Sequence, residues 1–215
     1  MKYGYDYYEG KGSNYRKGGG YGSAWHRFVK LLLYRTAFSD LKRHKSSGRL
    51  LDLGCAYGYF VDFASRRGFQ ASGRDVSEYA VRRGKEIFPG LDIGRMDIER
   101  GIGFPEKSFD VVSAWDVLEH CGNLGYVLKE IKKVLKDDGV LLASVPDSDL
   151  FPEEKDLDGT HMWRMNMAEW KEQFERSGFE VASTRVFPFW LKSVKPDLCI
   201  SILFARKAPA RKARS

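Results

Sequence analysis

Short apolar runs alternate along the chain with longer segments whose apolar residues recur at helical spacing. The first four runs cover residues 50–53, 69–75, 91–96 and 109–115. Each has the length of a buried strand, and helical segments between such runs are typical of parallel strands joined by crossover helices. The pattern therefore predicts an α/β domain built on a parallel sheet.

The helical segments carry their own start and stop signals. Ser77 is a predicted N-cap, and residues 166–169 resemble a capping box for a helix that ends at Gly178. The helix after Ser77 has one apolar face, formed by Ala80, Gly84, Ile87 and Phe88. A stronger amphipathic helix has its apolar face at Leu124, Val127, Leu128, Ile131, Val134 and Leu135. We expect residues 137–139 to turn it into a strand at 140–145.

The two ends of this pattern are also structured. Between Ser23 and about Lys45, apolar residues at helical spacing predict a helix that covers the sheet, with a membrane-surface helix as the alternative. The residues that define its apolar face are Trp25, Phe28, Val29 and Leu32. Two last strands are predicted at 179–186 and 198–205.

The turn after the first predicted strand contains Gly54 and Gly58, four residues apart. Glycine lets the backbone pass close to a ligand, and free N–H groups at a helix start can face an anionic group. Asp52, near the end of the strand, is expected to accept hydrogen bonds from a ligand amine. The turn therefore suits a ligand with amino and carboxylate groups. Its spacing differs from the GxGxxG of dinucleotide sites, and a plain tight turn is the alternative.

An acidic residue lies at or beside the end of each of the first four strands. They are Asp52, Asp75, Asp97 and Asp116. Acidic residues on an ordinary surface need not recur at the end of every strand. We therefore expect the four carboxylates to line one crevice at the carboxyl edge of the sheet. Asp75, at the tip of the second strand, is placed to bind both hydroxyls of a ribose.

Several motifs in the same order resemble the class I S-adenosylmethionine-dependent methyltransferases, in particular the small-molecule branch with the ubiquinone and menaquinone biosynthesis enzymes. The motifs are LLDLGCAYGYF, GRDVSEYAV, FPEKSFDVVSAWDVLEH and LKDDGVLLASVP, within residues 48–186. Ala56 stands where the family usually has a glycine, so a slightly different loop is expected. The resemblance implies a Rossmann-like α/β fold: a seven-stranded, mostly parallel sheet with an antiparallel last hairpin and helices on both faces.

The resemblance also implies how S-adenosylmethionine would be bound. Its methionine part would contact Asp52, Gly54, Cys55 and Gly58, and its ribose Asp75. Its adenine would contact Val76, Asp97 and the N–H of Ile98. The floor near the sulfonium would consist of Trp115, Asp116 and Val117.

Composition and charge narrow the class of protein. At 215 residues, one domain is expected, and no apolar run approaches a membrane span or a signal-peptide core. Cys55, Cys121 and Cys199 are widely spaced, which predicts reduced thiols in a cytoplasmic protein and no metal site. The net charge of +7 lies at the two ends of the chain. Residues 206–215 hold five basic side chains and no acid, and residues 1–22 hold four basic and two acidic side chains. A nearly neutral body does not favour a nucleic-acid groove.

The chain is thus divided into a Tyr/Gly-rich segment (1–22), a methyltransferase domain (23–205) and a basic tail (206–215) that we expect to be disordered. Six tyrosines give the first segment apolar surface to bury. We favour a lid over the cofactor cleft when ligand is present. A floppy tail and stacking on single-stranded RNA are the alternatives.

Methyl transfer needs alignment and exclusion of water more than a nucleophilic side chain, because the sulfonium is already activated. A general base is needed for a hydroxyl acceptor, and His161 and His120 are the candidates. Structural roles for both are the alternative, and Glu119 is interpreted as a helix N-terminal charge. Trp115–Leu118 replaces the Asn-Pro-Pro-Tyr expected for nucleobase or glutamine methylation.

These observations favour a methyltransferase acting on a small-molecule acceptor, with oxygen preferred over nitrogen or carbon. The other enzyme hypothesis is an RNA or protein methyltransferase that uses the basic ends. A different class is a regulator that binds S-adenosylmethionine without catalysis. The residues leave the acceptor, the pathway and the oligomeric state open.

Overall fold

A computed structural model describes residues 3–10, 19–156, 158–189, 192 and 200–208 of the chain. Most of the predicted basic tail (209–215) lies outside the described residues, as do Cys199 and part of the Tyr/Gly-rich segment. Both described cysteines, Cys55 and Cys121, are buried free thiols. Within the described residues, no helix has the length and apolar character needed to cross a lipid bilayer.

The described residues form one seven-stranded sheet in the order β3-β2-β1-β4-β5-β7-β6. The strands are β1 (Gly48–Leu53), β2 (Phe69–Asp75), β3 (Asp92–Arg95), β4 (Phe109–Trp115), β5 (Leu135–Val145), β6 (Phe179–Phe187) and β7 (Ile200–Lys207). The first five pair in parallel, and β7 pairs antiparallel with both β5 and β6. The predicted Rossmann-like sheet with an antiparallel last hairpin is confirmed.

The chain passes from β1 outward to β2 and β3, and then returns to place β4 on the other side of β1. Such a reversal opens a crevice between the loops that leave the carboxyl ends of the two central strands. The predicted convergence of strand ends therefore has a topological basis.

Helices cover both faces of the sheet. They are α1 (Tyr5–Tyr8), α2 (Ala24–Leu41), α3 (Tyr59–Ser65), α4 (Glu78–Ile87), α5 (Leu124–Val134) and α6 (Met167–Arg176). Helices α5 and α6 pack in one hydrophobic cluster against Leu51 and Leu53, whereas α2 and α3 pack in another against Leu50. Alternate residues of β1 therefore belong to opposite layers, as the period of a strand requires. The predicted N-cap at Ser77 and the capping box at Asn166 are both present.

Helix α2 covers the sheet as expected, but only part of the predicted apolar face contacts the core. Val29 and Leu32 are partly buried against it, whereas Trp25 and Phe28 are 64% and 53% exposed. The fully buried residues form a stripe that is rotated around the helix from the predicted one: Lys30, Leu33, Tyr34, Ala37, Phe38 and Leu41. The helix is apolar on more than one side, so spacing alone did not identify the most deeply buried stripe.

Several boundaries differ from the prediction. Strand β7 runs to Lys207, so the first two residues of the predicted basic tail are paired in the sheet. Leu135 ends α5 as its C-cap and already belongs to β5, where it pairs with Phe109. The register with β4 then shifts, so residues 136–139 bulge out before Val140 pairs with Val111. The predicted turn is thus an irregularity inside the strand. Ile87, predicted on the apolar face of α4, is the last residue of that helix and is 38% exposed.

Candidate functional site

A cleft opens at the carboxyl edge of the sheet, where the loops after β1, β2 and β4 meet. Its walls combine these loops with the 3₁₀ turns at Ile98–Arg100 and Leu118–His120 and with the N-terminal segment. The lining residues are Tyr3, Tyr7, Tyr8, Tyr21, Gly54, Ala56, Asp75, Val76, Met96, Asp97, Ile98, Glu99, Trp115, Asp116, Val117, His120 and Cys121. Nine of the residues predicted for the site lie in this one lining: Gly54, Asp75, Val76, Asp97, Ile98, Trp115, Asp116, Val117 and His120.

The glycine turn is held tightly against the neighbouring strands. Gly54 has φ +66°, and a Cβ there would lie 2.2 Å from a methyl carbon of Val117. Gly58 has φ +79°, and a Cβ there would lie 2.3 Å from Ile93. Both positions therefore require glycine. Gly58 starts α3 and Cys55 is buried under the turn, so only Gly54 of these predicted contacts reaches the cleft lining.

Ala56 occupies the position where the resemblance expects glycine. It adopts φ +47°, a backbone conformation that alanine takes rarely. Its N–H donates to Asp75 Oδ2 at 2.8 Å, and this hydrogen bond holds the turn in place. The expected altered loop is therefore a loop with left-handed alanine, and Ala56 itself joins the cleft lining.

Asp75 connects the first two loops of the site. Besides the Ala56 N–H, its carboxylate accepts from the Ser77 N–H at 2.8 Å. Burial raises the pKa of Asp75 to about 6, although both N–H groups favour the charged form. One carboxylate thus fixes the turn after β1 and the start of α4 while it faces the cleft.

Asp52 lies elsewhere than the sequence predicted. It is 1% exposed, is absent from the cleft lining among the described residues, and its Oδ1 accepts a hydrogen bond from Ser113 Oγ at 2.7 Å. Burial raises the pKa of Asp52 to about 8, and the nearby Asp75 charge adds to the effect of burial. Asp52 therefore supports the turn from beneath.

The raised pKa predicts a pH dependence of stability. Asp52 holds its proton in the folded state up to about pH 8 but releases it near its ordinary pKa when unfolded. The contribution of Asp52 to the free energy of unfolding is complete below that ordinary pKa and is lost as the pH rises through about 8. The free energy of unfolding should fall by at most about 1.4 kcal/mol per pH unit across this window.

We expect Asp52→Asn to remove this slope, as measured by urea unfolding at about pH 6 and about pH 8. The interval starts at the pKa of Asp75, about 6, so most of it lies where Asp75 is already charged. Every other titratable group is present in both proteins, so the difference between wild type and variant isolates Asp52. Identical slopes in the two proteins would contradict the assignment.

Beyond β4, the cleft floor contains a buried ion pair. Asp116 has φ +55°, and its Oδ2 lies 2.5 Å from Lys30 Nζ of helix α2. Its Oδ1 accepts from Ser144 Oγ at 2.6 Å. Burial alone would raise the pKa of Asp116, but the Lys30 ammonium outweighs it and keeps the pKa below its usual range. Asp116 is thus a fixed negative charge in the cleft.

Asp97 and its neighbours form the opposite wall. The Asp97 carboxylate caps the short turn after β3 by accepting from the Glu99 N–H at 3.1 Å. The side chain of Val76 is 39% exposed toward this side. The predicted adenine contacts therefore share one wall of the cleft.

The N-terminal segment lies over the cleft and supplies four tyrosines to its lining. Tyr57 Oη donates to Glu9 at 2.6 Å, and Ser77 Oγ donates to the Tyr3 carbonyl at 2.5 Å. Aromatic rings pack edge to face beneath this cover, for example Tyr8 against Tyr21 at 5.5 Å between centroids. The sequence predicted a lid as one interpretation but no individual contact, and closure on ligand stays a prediction.

The two candidate histidines occupy different depths. His120 lies in the cleft lining, and its Nε2 is 3.4 Å from Tyr7 Oη. His161 lies behind it, 4.8 Å between ring centroids, and its Nδ1 is 2.6 Å from Asp156 Oδ2. Burial and the neighbouring His161 lower the pKa of His120, so that its imidazole is neutral near pH 7.

Glu119 lies in the first turn of the 3₁₀ helix Leu118–His120, as predicted, but its side chain is buried and does not act as an exposed helix N-terminal charge. Its side chain is 1% exposed, and Oε2 has no hydrogen-bond partner among the described residues. Burial, followed by the Asp116 charge, raises the pKa of Glu119 well above its usual value. No local signal in the sequence distinguishes this buried glutamate from a surface one.

Comparison with known proteins identifies the family to which this chain is similar. The profile of the family described as "Methyltransferase domain" matches residues 24–184. A probable S-adenosylmethionine-dependent methyltransferase of Mycolicibacterium smegmatis is 31% identical over 163 residues, covering 74% of this chain and 61% of that protein. The chain therefore spans less than two thirds of the length of this relative.

Two further proteins are similar over more of their length. A ubiquinone biosynthesis O-methyltransferase of Hahella chejuensis is 30% identical over 173 residues, covering 77% of this chain and 69% of that protein. The crystal structure of an S-adenosylmethionine-dependent methyltransferase from Mesorhizobium loti superposes with a TM-score of 0.66 at 18% identity, covering 83% of this chain and 98% of that one. At this identity, the similarity to the Mesorhizobium loti structure is evidence for the fold alone.

Proposed function

The chain belongs to the S-adenosylmethionine-dependent methyltransferases, and from that premise we propose that it methylates an oxygen atom of a small molecule. The observation that carries the proposal is that one cleft contains both the glycine turn with Asp75 and the neutral imidazole of His120. The first part suits the methyl donor, and the second suits a hydroxyl acceptor. The donor and acceptor would then meet in a space covered by tyrosine rings.

The residues present fit the donor. Gly54 lies in the cleft lining at a φ that only glycine adopts freely, and Asp75 is the last residue of β2 in the same lining. Asp75 would bind the ribose hydroxyls, Val76 would contact the adenine, and Asp97 and the Ile98 N–H would bind its polar edge. Bound S-adenosylmethionine would supply a methyl group activated by its sulfonium. The fixed charge of Asp116 would favour that cation over the neutral thioether product.

Asp52, Cys55 and Gly58, predicted to contact the donor, instead support the glycine turn that faces it. Asp52 bonds Ser113 below the turn, and Cys55 and Gly58 pack against the second and third strands. We propose that these three residues shape the turn, and that Gly54, Ala56 and Asp75 contact the donor.

Activation of the acceptor is assigned to the His120–His161 pair. The phenol of Tyr7 lies against His120 Nε2, so the hydroxyl of an acceptor ring that took the place of Tyr7 would reach this nitrogen. Transfer then forms a bond between the acceptor oxygen and the methyl carbon as the sulfur–carbon bond breaks, with the electron pair remaining on sulfur. The acceptor proton passes to Nε2 of the neutral His120 imidazole.

The N-terminal segment in the cleft lining also favours a small acceptor over a polymer. It is held on the domain by two hydrogen bonds, from the Tyr57 hydroxyl to the Glu9 carboxylate and from the Ser77 hydroxyl to the Tyr3 carbonyl. An RNA or protein strand would need this cover removed. Trp115, Asp116 and Val117 moreover replace the polar clamp expected for amide or nucleobase nitrogen.

The decisive experiment is transfer of labelled methyl groups from S-adenosylmethionine into a cell extract separated into small molecules, RNA and protein. We expect label in the small-molecule pool and, for His120→Gln, a turnover lower by about 100-fold with little change in donor affinity. The exposed His44 provides the matched control, because His44→Gln should leave turnover unchanged. Label in RNA or protein would replace the proposal by the polymer alternative. Donor binding without any transfer would indicate a regulator.

A further inference from the structure

Three potential metal ligands meet behind the wall of the cleft. Glu119, His120 and His161 each offer one ligand atom, and these atoms all lie within 4.8 Å of one another. The first two belong to the turn after β4, and the third belongs to the loop after β5. Backbone bonds hold the loop on the turn, because the N–H groups of Met162 and Trp163 both donate to the Glu119 carbonyl, at 2.7 and 3.2 Å. The cluster is therefore a built part of the fold.

Both imidazoles are oriented by partners on the side away from the cluster. His161 Nδ1 is bonded to Asp156 Oδ2 at 2.6 Å. His120 Nδ1 is bonded to Thr160 Oγ1 at 2.9 Å, and that hydroxyl donates to Asp158 Oδ1 at 2.6 Å. With Nδ1 donating in each ring, Nε2 carries the lone pair available to a ligand. Metal-binding histidines are oriented in the same way by carboxylates and carbonyls.

The third member of the cluster points to a ligand independently. Glu119 is 1% exposed, and its Oε2 has no hydrogen-bond partner among the described residues. Buried carboxylate oxygens are normally bonded, because leaving one without a partner is unfavourable. A cation between Glu119 and the two imidazoles would supply the partner that this oxygen lacks.

We propose that Glu119, His120 and His161 bind a divalent transition-metal ion beside the acceptor position. Two imidazoles and one carboxylate suit zinc, cobalt or iron(II) better than magnesium or calcium. Three protein ligands leave a coordination position open for an oxygen. The Tyr7 hydroxyl, 3.4 Å from His120 Nε2, lies on the side from which that oxygen would come. No metal site is predicted from the sequence, because the cysteines lack metal-ligand spacing and Glu119 is interpreted there as a helix N-terminal charge.

The role of the ion in the reaction, though not the site itself, rests on the proposed oxygen methylation. The ion would lower the pKa of an acceptor hydroxyl bound to it, so that this hydroxyl would release its proton to solvent at a lower pH than a free hydroxyl does. The resulting oxygen anion would form the bond to the methyl carbon, and the electron pair of the sulfur–carbon bond would stay on sulfur. The products would be the methyl ether and neutral S-adenosylhomocysteine. With the ion bound, the two histidines would serve as its ligands, and the ion would take over from His120 the activation of the acceptor hydroxyl.

The test is a titration of the untagged, chelator-treated full chain with Zn²⁺ by calorimetry and with Co²⁺ by visible absorption, without cofactor or acceptor. We expect one ion per chain. Glu119→Gln, which keeps the side-chain volume, and His161→Gln should each raise the dissociation constant by at least about tenfold. His44→Gln, which changes an exposed histidine outside the cluster, should bind as wild type does.

Asp156→Asn provides a variant that keeps all three ligands. It should raise the dissociation constant by about 10- to 100-fold at unchanged stoichiometry, because Asp156 orients His161 and is not itself one of the three ligands. Thermal unfolding without metal checks that each variant is folded. Absence of saturable Zn²⁺ and Co²⁺ binding by the wild type would overturn the proposal, as would equal affinities of wild type, Glu119→Gln and His161→Gln. Because no methyl transfer is measured, this failure is distinguishable from failure of the proposed function.

Discussion

Replacing Asp75 with alanine is expected to weaken S-adenosylmethionine binding by about 100- to 10,000-fold. The estimate comes from losing two hydrogen bonds between ribose hydroxyls and a carboxylate, at about 1.5–3 kcal/mol each. The substitution also leaves the N–H groups of Ala56 and Ser77 without their acceptor, so the turn that faces the donor loosens. Isothermal titration calorimetry with S-adenosylmethionine measures the effect directly.

Two variants separate binding from folding. Asp75→Asn keeps the volume and one acceptor oxygen, and we expect an affinity between those of wild type and Asp75→Ala. Asp92→Ala removes an exposed acid at the start of β3, outside the cleft lining, and should bind as wild type does. If Asp75→Ala stayed folded and bound the donor with unchanged affinity, the assignment of the cleft as the donor site would be untenable.

The location of Asp75 could be predicted from its place at the end of a strand and from the parallel arrangement of the sheet. The carboxyl ends of neighbouring parallel strands lie at one edge, and Asp75 is the last residue of β2. The same reasoning failed for Asp52, which lies one residue before the end of β1. Its side chain belongs to the strand face of Leu50, opposite to Leu51 and Leu53, so it is directed into the α2 layer and pairs across to Ser113.

Contacts between distant parts of the chain could not be predicted from local pattern. Tyr7 and His120 are 113 residues apart, and Lys30 and Asp116 are 86 residues apart. Nothing in the spacing of the tyrosines indicates which ring enters the cleft. Glu119 is likewise buried by a loop that follows β5, so its surroundings depend on how that loop returns to the turn after β4.

Replacing Lys30 with methionine is expected to destabilise the protein by about 3–5 kcal/mol, because it leaves Asp116 charged and unpaired in a largely buried position. Methionine fills a similar volume, so the loss reports the charge and not a cavity. Asp116 is held at φ +55° with Ser144 as its other partner, and it has little freedom to turn toward water. The free energy of unfolding in urea is the measurement.

The double variant Lys30→Met with Asp116→Asn tests the cause. If the loss comes from the unpaired charge, neutralising Asp116 should recover more than half of it, and the two substitutions should be clearly non-additive. Lys107→Met breaks an exposed pair with Asp137 at 2.8 Å and should change nothing measurable. Additive losses would mean that α2 stabilises the β4 edge by packing alone. The Lys30–Asp116 contact would then be incidental to the site. A non-additive result would show that helix α2, which precedes every strand in the chain, sets the charge on the cleft floor.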